Sequence, residues 1–313
     1  MEKIPVYLFT GFMDSGKTKL IKDTLIQQEF TKNSNTLLLV CEDGEEEYDE
    51  ELMRKNQISM ELIKDPSMLQ KKVMQELIQK FEPDQIFIEY NGMWEVGPLL
   101  ENGFLDECEL YQSLACVDAS TFDQYLKNMR PLIMEQLFVA DVIIFNRCTT
   151  ETPKTKYRTA IKGQNKKAQL VYERMDGTID DEPEELPYDM SKEELVISDM
   201  DYAIWYTDIM DHPKDYAGKK IEFLALVYNP PGKMSKGVFI PGRFAMTCCA
   251  DDVTFLGVKA KYAKAEEIPH KSFVKVRGVV KVEFAKEYHQ RGPVLYIEQV
   301  EKADKPEDEL IYF

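Results

Sequence analysis

The 313-residue chain lacks a run of the roughly 18 apolar residues that a membrane-spanning helix requires. No secretory leader is expected either, since Met1-Glu2-Lys3 leads directly into a strand pattern with no extended apolar region or small-residue cleavage site. A cytosolic location with no direct membrane insertion is therefore expected. The six cysteines, at 41, 108, 116, 148, 248 and 249, contain no Cys-x-x-Cys pair, which argues against a zinc ribbon or a disulfide framework. The three histidines, His212, His270 and His289, have no spacing typical of a zinc site, and His212 before Pro213 reads as a turn or capping residue. No Ser-His-Asp or Cys-His constellation supports nucleophilic catalysis. There is no basic stripe for nucleic acid or anionic lipid either, because the formal charge is −17.

That charge is concentrated. Residues 42 to 51 hold eight acids and no base, and residues 180 to 200 hold nine acids and one base, so the two segments carry −16 and the remainder −1. The second run, from Asp180 to Pro187, is punctuated by proline and poor in apolar residues, as expected of an exposed linker. A length of 313 residues with 44% hydrophobic content suits about two globular domains. The expected organisation is a nucleotide-binding domain over 1–178, an acidic linker over 179–200 and a helix plus small β-barrel over 201–313.

Gly11-Phe12-Met13-Asp14-Ser15-Gly16-Lys17-Thr18 follows the apolar run 4–9 and precedes a helical pattern. This is a phosphate-binding loop in its required strand-to-helix context. Glycines at both ends let backbone N–H groups curl around phosphates, a lysine reaches the terminal phosphates, and the threonine hydroxyl holds magnesium. Gly11, Asp14, Ser15, Gly16, Lys17 and Thr18 are thus candidate nucleotide ligands. Strands are predicted at 4–10, 36–41, 85–90, 111–118, 141–146 and 168–172, mostly continuous apolar runs of the kind found in a parallel sheet covered on both faces. Helical spacing is clearest from Lys71 to Phe81. The fold class is α/β, a doubly wound P-loop domain with a mostly parallel sheet.

Beyond the linker, one helix around 201–211 precedes predicted strands at 219–228, 237–249, 254–262, 273–284 and 294–302. Turns are expected at Pro230-Pro231-Gly232, Pro241-Gly242 and Arg291-Gly292-Pro293. Five strands in this length read as an OB-like β-barrel. Without a positive groove, the barrel is expected to bind protein or a small ligand rather than single-stranded nucleic acid.

With these residues in view, the first domain resembles the CobW-like P-loop GTPases, metallochaperones and cofactor-insertion proteins related to hydrogenase and urease maturation factors. Ile86-Phe87-Ile88-Glu89-Tyr90-Asn91-Gly92 matches the family's strand ending in Glu-x-x-Gly. The resemblance implies that Glu89 organises magnesium through its water shell and that the Gly92 N–H meets the γ-phosphate. Val117-Asp118-Ala119 ends the next strand as in the family, and the phrase from Gln136 to Asn146 leads to the base-recognition position. There the guanine-reading Asn-Lys-x-Asp appears as Asn146-Arg147-Cys148-Thr149, so the carboxylate is missing, with Glu151 near enough in sequence to substitute. The family's Cys-x-Cys-Cys metal motif is also absent, and the acidic run stands after the second predicted strand.

Most of those acids read as a solvated, switch-like loop with helix-opening acids at a favourable dipole end. Glu42 is set apart as a magnesium candidate because its position matches an acidic residue in the family's switch segment. The second domain resembles the C-terminal domain of small bacterial proteins that accompany permeases, on the residues 211–221 and 243–252. Cys248 and Cys249 form the one close thiol pair and are weighed as soft-metal ligands, zinc among them, against core packing or a strained redox pair; adjacent strand positions point to opposite faces.

The resemblance implies a slow magnesium-dependent GTPase, with Lys17 and Glu89 as its catalytic groups, GTP or ATP as ligand, and a role as a switch in metal homeostasis or transporter support. Partners would be a metalloprotein client or a permease, with a homodimer as one arrangement. Two other readings stay open: a nucleotide-binding adaptor without useful hydrolysis, and a metal-binding scaffold with a vestigial nucleotide site.

Overall fold

The computed structural model describes residues 3–27, 31, 34–42, 44, 46–102, 104–246 and 253–312. Two compact units emerge, one comprising residues up to 152 together with 165–182, the other 153–164 together with 183–313.

The first unit is built on β1 (Ile4–Thr10), β2 (Thr36–Val40), β3 (Ile58–Leu62), β4 (Gln85–Glu89), β5 (Cys108–Asp118), β6 (Val142–Cys148) and β7 (Gln169–Arg174). They form one parallel sheet in the order β3-β2-β4-β1-β5-β6-β7. The helices are α1 (Lys17–Lys22), α2 (Glu50–Lys55), α3 (Lys71–Phe81), α4 (Gly97–Asn102), α5 (Phe122–Asn128) and α6 (Arg130–Val139). The apolar runs behind the predicted strands are buried on both faces, with Val6, Leu8, Leu37, Leu39, Ile86 and Ile88 in one cluster and Phe9, Leu38 and Phe87 in another. Strand β3 was not among the predicted strands. It pairs only with β2 at the edge and buries little beyond Ile58, so its sequence, Ile58-Ser59-Met60-Glu61-Leu62, carries no continuous apolar signal.

In the second unit, β9 (Lys220–Tyr228), β10 (Val238–Met246), β12 (Lys259–Lys261), β14 (Gln290–Lys302) and β13 (Phe273–Ala285) close a ring in that order, because β13 and β10 both pair with β9. Numbered within the ring, the order is first, second, third, fifth, fourth, and the third and fifth strands run parallel. This is an OB-like barrel. Strands β8 (Glu194–Ile197), β11 (Thr254–Gly257) and β15 (Leu310–Tyr312) attach to it, and helices α7 (Lys154–Lys162) and α8 (Tyr202–Asp211) belong to the same unit.

Several local expectations need correction. The expected strand 254–262 is two strands, β11 and β12, both paired with β10 and separated at Val258, whose N–H donates to Pro241 O; β12 then also joins β14. Pro241-Gly242 and Arg291-Gly292-Pro293 are not turns but lie inside β10 and β14. Gly242 serves close strand approach there, because a Cβ would stand 2.4 Å from Leu256 O. The reversal between β13 and β14 falls instead at Lys286–Tyr288, with His289 at φ 54°. Within 179–200 the chain is not purely a linker. Strand β8 pairs in parallel with β9, and Leu195 and Ile197 enter the barrel core.

Trp205 anchors that core from α8, fully buried and 4.9 Å between ring centroids from Phe223. Beside it, Asp208 accepts from Tyr216 Oη at 2.7 Å and lies 3.6 Å from Arg158, whose guanidinium also reaches Asp211 at 2.5 Å. His212 is the C-cap of α8, its N–H donating to Asp208 O. Trp205→Ala should destabilise the second unit by about 3–5 kcal/mol through cavity formation; denaturant unfolding followed in that unit checks it.

Candidate functional site

Strand β1 ends at Thr10 between β4 and β5, so the loop that follows emerges at the carboxyl end of the sheet, where doubly wound folds bind ligands. The loop needs its glycines: Gly11 has φ 134° and Gly16 φ 95°, and a Cβ on Gly11 would stand 2.3 Å from Cys116 O. Asp14, at φ 60°, takes a left-handed conformation in the middle.

Lys17 is 3% exposed at the start of α1, and its ammonium donates to Gly11 O at 2.7 Å and Phe12 O at 2.9 Å. It also forms an ion pair with Glu42, which leaves the end of β2 and is itself buried. The other oxygen of Glu42 accepts weakly from Gly92 N–H at 3.4 Å. At the next position, Thr18 Oγ1 donates to Glu89 Oε1 at 2.5 Å, and Tyr48 Oη donates to Glu89 Oε2 at 2.7 Å. Burial raises the Glu89 carboxyl above its ordinary value, against the opposing hydrogen bonds from Thr18 and Tyr48 and the charge of Lys17. Burial also pushes the Tyr48 phenol far up, so it stays a donor.

A cavity of about 180 Å³ opens among Gly16, Lys17, Thr18, Glu42, Glu89 and Arg147. The sheet therefore brings together Lys17, Thr18, Glu42, Glu89 and Gly92 from the ends of three strands. Thr18 and Glu89 offer the hard oxygen ligands that magnesium takes, and their direct hydrogen bond places them as a pair. The Ser15 Oγ and Asn146 Oδ1 atoms are buried with no hydrogen-bond partner among the described residues, as expected of a polar site shaped for a ligand.

Asn146 and Arg147 brace the loop from behind. Asn146 Nδ2 donates to Ser15 O at 2.6 Å, and Arg147 donates to Asp14 O at 3.0 Å and pairs with Asp118. Burial works against the Asp118 carboxylate, but bonds from Ser120 and Arg147 outweigh it and hold its carboxyl below the ordinary range. Thr149 and Glu151 are exposed, and the Thr149 hydroxyl accepts from Glu151 N–H at 3.2 Å. Cys248 and Cys249 lie outside the described residues, as do Asp43 and Glu45 of the acidic run. Among the described residues no group of three or more His, Cys, Asp or Glu side chains converges as a metal cluster.

Two contributors were not assigned from sequence. Gln136 is buried and joins two loops, accepting from Gly11 N–H at 2.9 Å and donating to Gly92 O at 2.8 Å. Its signal was a glutamine amid the apolar residues of α6, a position that demands partners. Tyr48 was the lone aromatic in an acidic run.

The model of the CobW/HypB/UreG nucleotide-binding domain matches residues 5–172, more than half of the chain. The chain belongs to the CobW/HypB/UreG family. Residues 174–313 of this CobW-family chain match the DUF1980 C-terminal domain. It is 27% identical over 165 residues to the zinc-regulated GTPase metalloprotein activator 1 of Schizosaccharomyces pombe, covering 47% of this chain and 39% of that protein. It is 23% identical over 122 residues to the UPF0703 protein YcgQ of Bacillus subtilis, covering 39% of this chain and 42% of that protein. The chain thus spans about two fifths of each of these relatives. The crystal structure of the Zn(II)-bound YjiA GTPase from E. coli is similar at a TM-score of 0.44 and 17% identity, over 85% of this chain and 97% of that one.

Gln136→Ala should cost about 1–3 kcal/mol for each of the two backbone groups it leaves unpaired, measured by chemical unfolding of the first unit. Because the folded Asp118 carboxyl lies below its ordinary 3.8, its contribution is present above 3.8 and lost as pH falls through the folded value. The stability gap between wild type and Asp118→Asn should shrink over that acid window, as followed by unfolding at stepped pH.

Proposed function

We propose that the first unit binds a magnesium-complexed purine nucleoside triphosphate, GTP ahead of ATP, hydrolyses it slowly, and acts as a switch in metal homeostasis or transporter support. The observation that carries this reading is the convergence of Lys17 Nζ and Gly92 N–H on one anionic group, the Glu42 carboxylate, beside the Thr18–Glu89 pair.

Lys17 would stabilise charge on the terminal phosphates, and Gly92 N–H would read the γ-phosphate. Thr18 and Glu89 would hold magnesium, Glu89 through its water shell. Bound magnesium would neutralise charge on the β- and γ-phosphate oxygens. Asn146 and Arg147 support the loop carbonyls of Ser15 and Asp14, so their contribution to nucleotide binding includes holding the cradle. Membership of the family supports the nucleotide, and the zinc-regulated metalloprotein activator among its relatives supports a metal-related task with a metalloprotein as partner; a permease is the partner under the transporter reading.

Titration with GTP, ATP and their diphosphates, with and without magnesium, tests the reading. Lys17→Ala should weaken triphosphate binding by at least tenfold, since a charged hydrogen bond contributes about 1.5–3 kcal/mol, and an affinity equal to wild type would refute the assignment. For the base, Thr149 in place of the family carboxylate predicts weak guanine selectivity unless Glu151 substitutes. Competition of GTP, ITP and ATP should show a small spread, and a strong GTP preference that survives Glu151→Gln contradicts the idea.

A further inference from the structure

Glu42 is 8% exposed, and among the described residues its only cationic partner is Lys17. The Lys17 ammonium has three donors and three acceptors: Gly11 O, Phe12 O and the Glu42 carboxylate. Two of these acceptors are carbonyls of the loop itself, so among the described residues Glu42 is the one carboxylate in direct contact with Lys17, with Glu89 near enough to feel its charge. The second Glu42 oxygen faces Gly92 N–H at 3.4 Å. One carboxylate thus spans the cation and the backbone donor that the proposed function gives to a terminal phosphate.

We infer that Glu42 is a resident stand-in for the terminal phosphate and the residue that sets how far the site favours triphosphate over diphosphate. This rests on the nucleotide reading above and adds a determinant of specificity to it. Carboxylate and phosphoryl oxygens accept the same bonds, so they compete for the same donors. A terminal phosphoryl group cannot share this buried pocket with an ionised Glu42, because like charges a few ångströms apart repel strongly where water is scarce. Triphosphate binding must therefore break the Glu42–Lys17 pair and the Gly92 contact together, and it separates a buried carboxylate from its cation, which is costly. A diphosphate leaves the terminal position free. Glu42 then keeps Gly92 and shares Lys17, so the penalty on diphosphate is smaller.

Glu42→Gln keeps the shape and the acceptor for Gly92 while removing the charge. Calorimetric titration should compare wild type, Glu42→Gln, Glu42→Asp and Lys17→Ala, each against a non-hydrolysable GTP analogue and GDP, in magnesium and in chelator. Glu42→Gln should tighten the triphosphate analogue by about tenfold and GDP by less than about threefold, in chelator as well as in magnesium. Glu42→Asp, shorter by one methylene, should shift the same ratio in the same direction by less, and it serves as the test if the glutamine variant does not fold by circular dichroism. Equal tightening of both nucleotides overturns the inference. A loss of triphosphate affinity confined to magnesium also overturns it, making Glu42 a support of the metal while the nucleotide reading stands. Unchanged binding in Lys17→Ala removes the nucleotide reading and this inference with it.

Discussion

The nucleotide site depends on two backbones brought closer together than side chains permit. The loop after β1 and the loop after β4 meet where a Cβ on Gly92 would stand 2.4 Å from Gly11 O and 2.6 Å from Phe12 Cα. Any residue other than glycine there must push the phosphate loop aside. Gln136 fastens the junction from α6 by bonding one backbone group on each side. The rest of the geometry follows: Gly92 N–H comes within reach of Glu42, Glu42 comes within reach of Lys17, and Glu89 at the end of β4 meets Thr18 at the start of α1.

Holding ionised groups inside such a junction costs solvation that a single ion pair rarely repays. Lys17 is 3% exposed and Glu89 2% exposed, yet each finds more than one partner, carbonyls and a carboxylate for the lysine, two hydroxyls for the glutamate. The raised Glu89 carboxyl records the part of the desolvation that those bonds do not cover. An arrangement that tolerates buried charge of both signs in a small cavity is suited to a ligand that carries both, a phosphate chain with its cation.

What the sequence disclosed followed the strength of the local signal. Buried strands announced themselves as continuous apolar runs, and the phosphate loop as a fixed spacing between a strand and a helix. Strand β3 did not, because at the sheet edge only Ile58 is fully buried, Ser59, Met60 and Glu61 are half-buried and Leu62 is exposed. Pro241-Gly242 and Arg291-Gly292-Pro293 carry the local chemistry of turns, but tertiary demands overrode it: Gly242 admits the β11 backbone, and Gly292 lies against the Tyr288 ring. Of the residues gathered at the carboxyl end of the sheet, Lys17 and Thr18 stood out by the spacing of the phosphate loop, and Glu89 and Gly92 by the family resemblance. Gln136 and Tyr48 did not, since each acts on residues more than forty positions away.

The acidic runs carry the same lesson for charge. Apart from Glu42, the acids of each run looked alike in sequence, and the fold gives them different tasks. Asp49 caps α2 by accepting from Glu51 N–H and Leu52 N–H at 3.0 Å, and Glu50 and Glu51 lie in that helix's first turn, where the dipole favours them. Tyr48 interrupts the run to reach Glu89, and Glu42 at its head turns inward to Lys17. In the second run Asp180 is buried against Arg174, while Glu184 lies 3.8 Å from Arg158 with its carboxyl raised by burial. Charge density along the chain therefore marks where acids are abundant, whereas their chemistry is decided by which ones the fold removes from water and what it places against them. For Glu42 that partner is the lysine of the phosphate loop, and a buried acid in that position must yield before a terminal phosphate can enter.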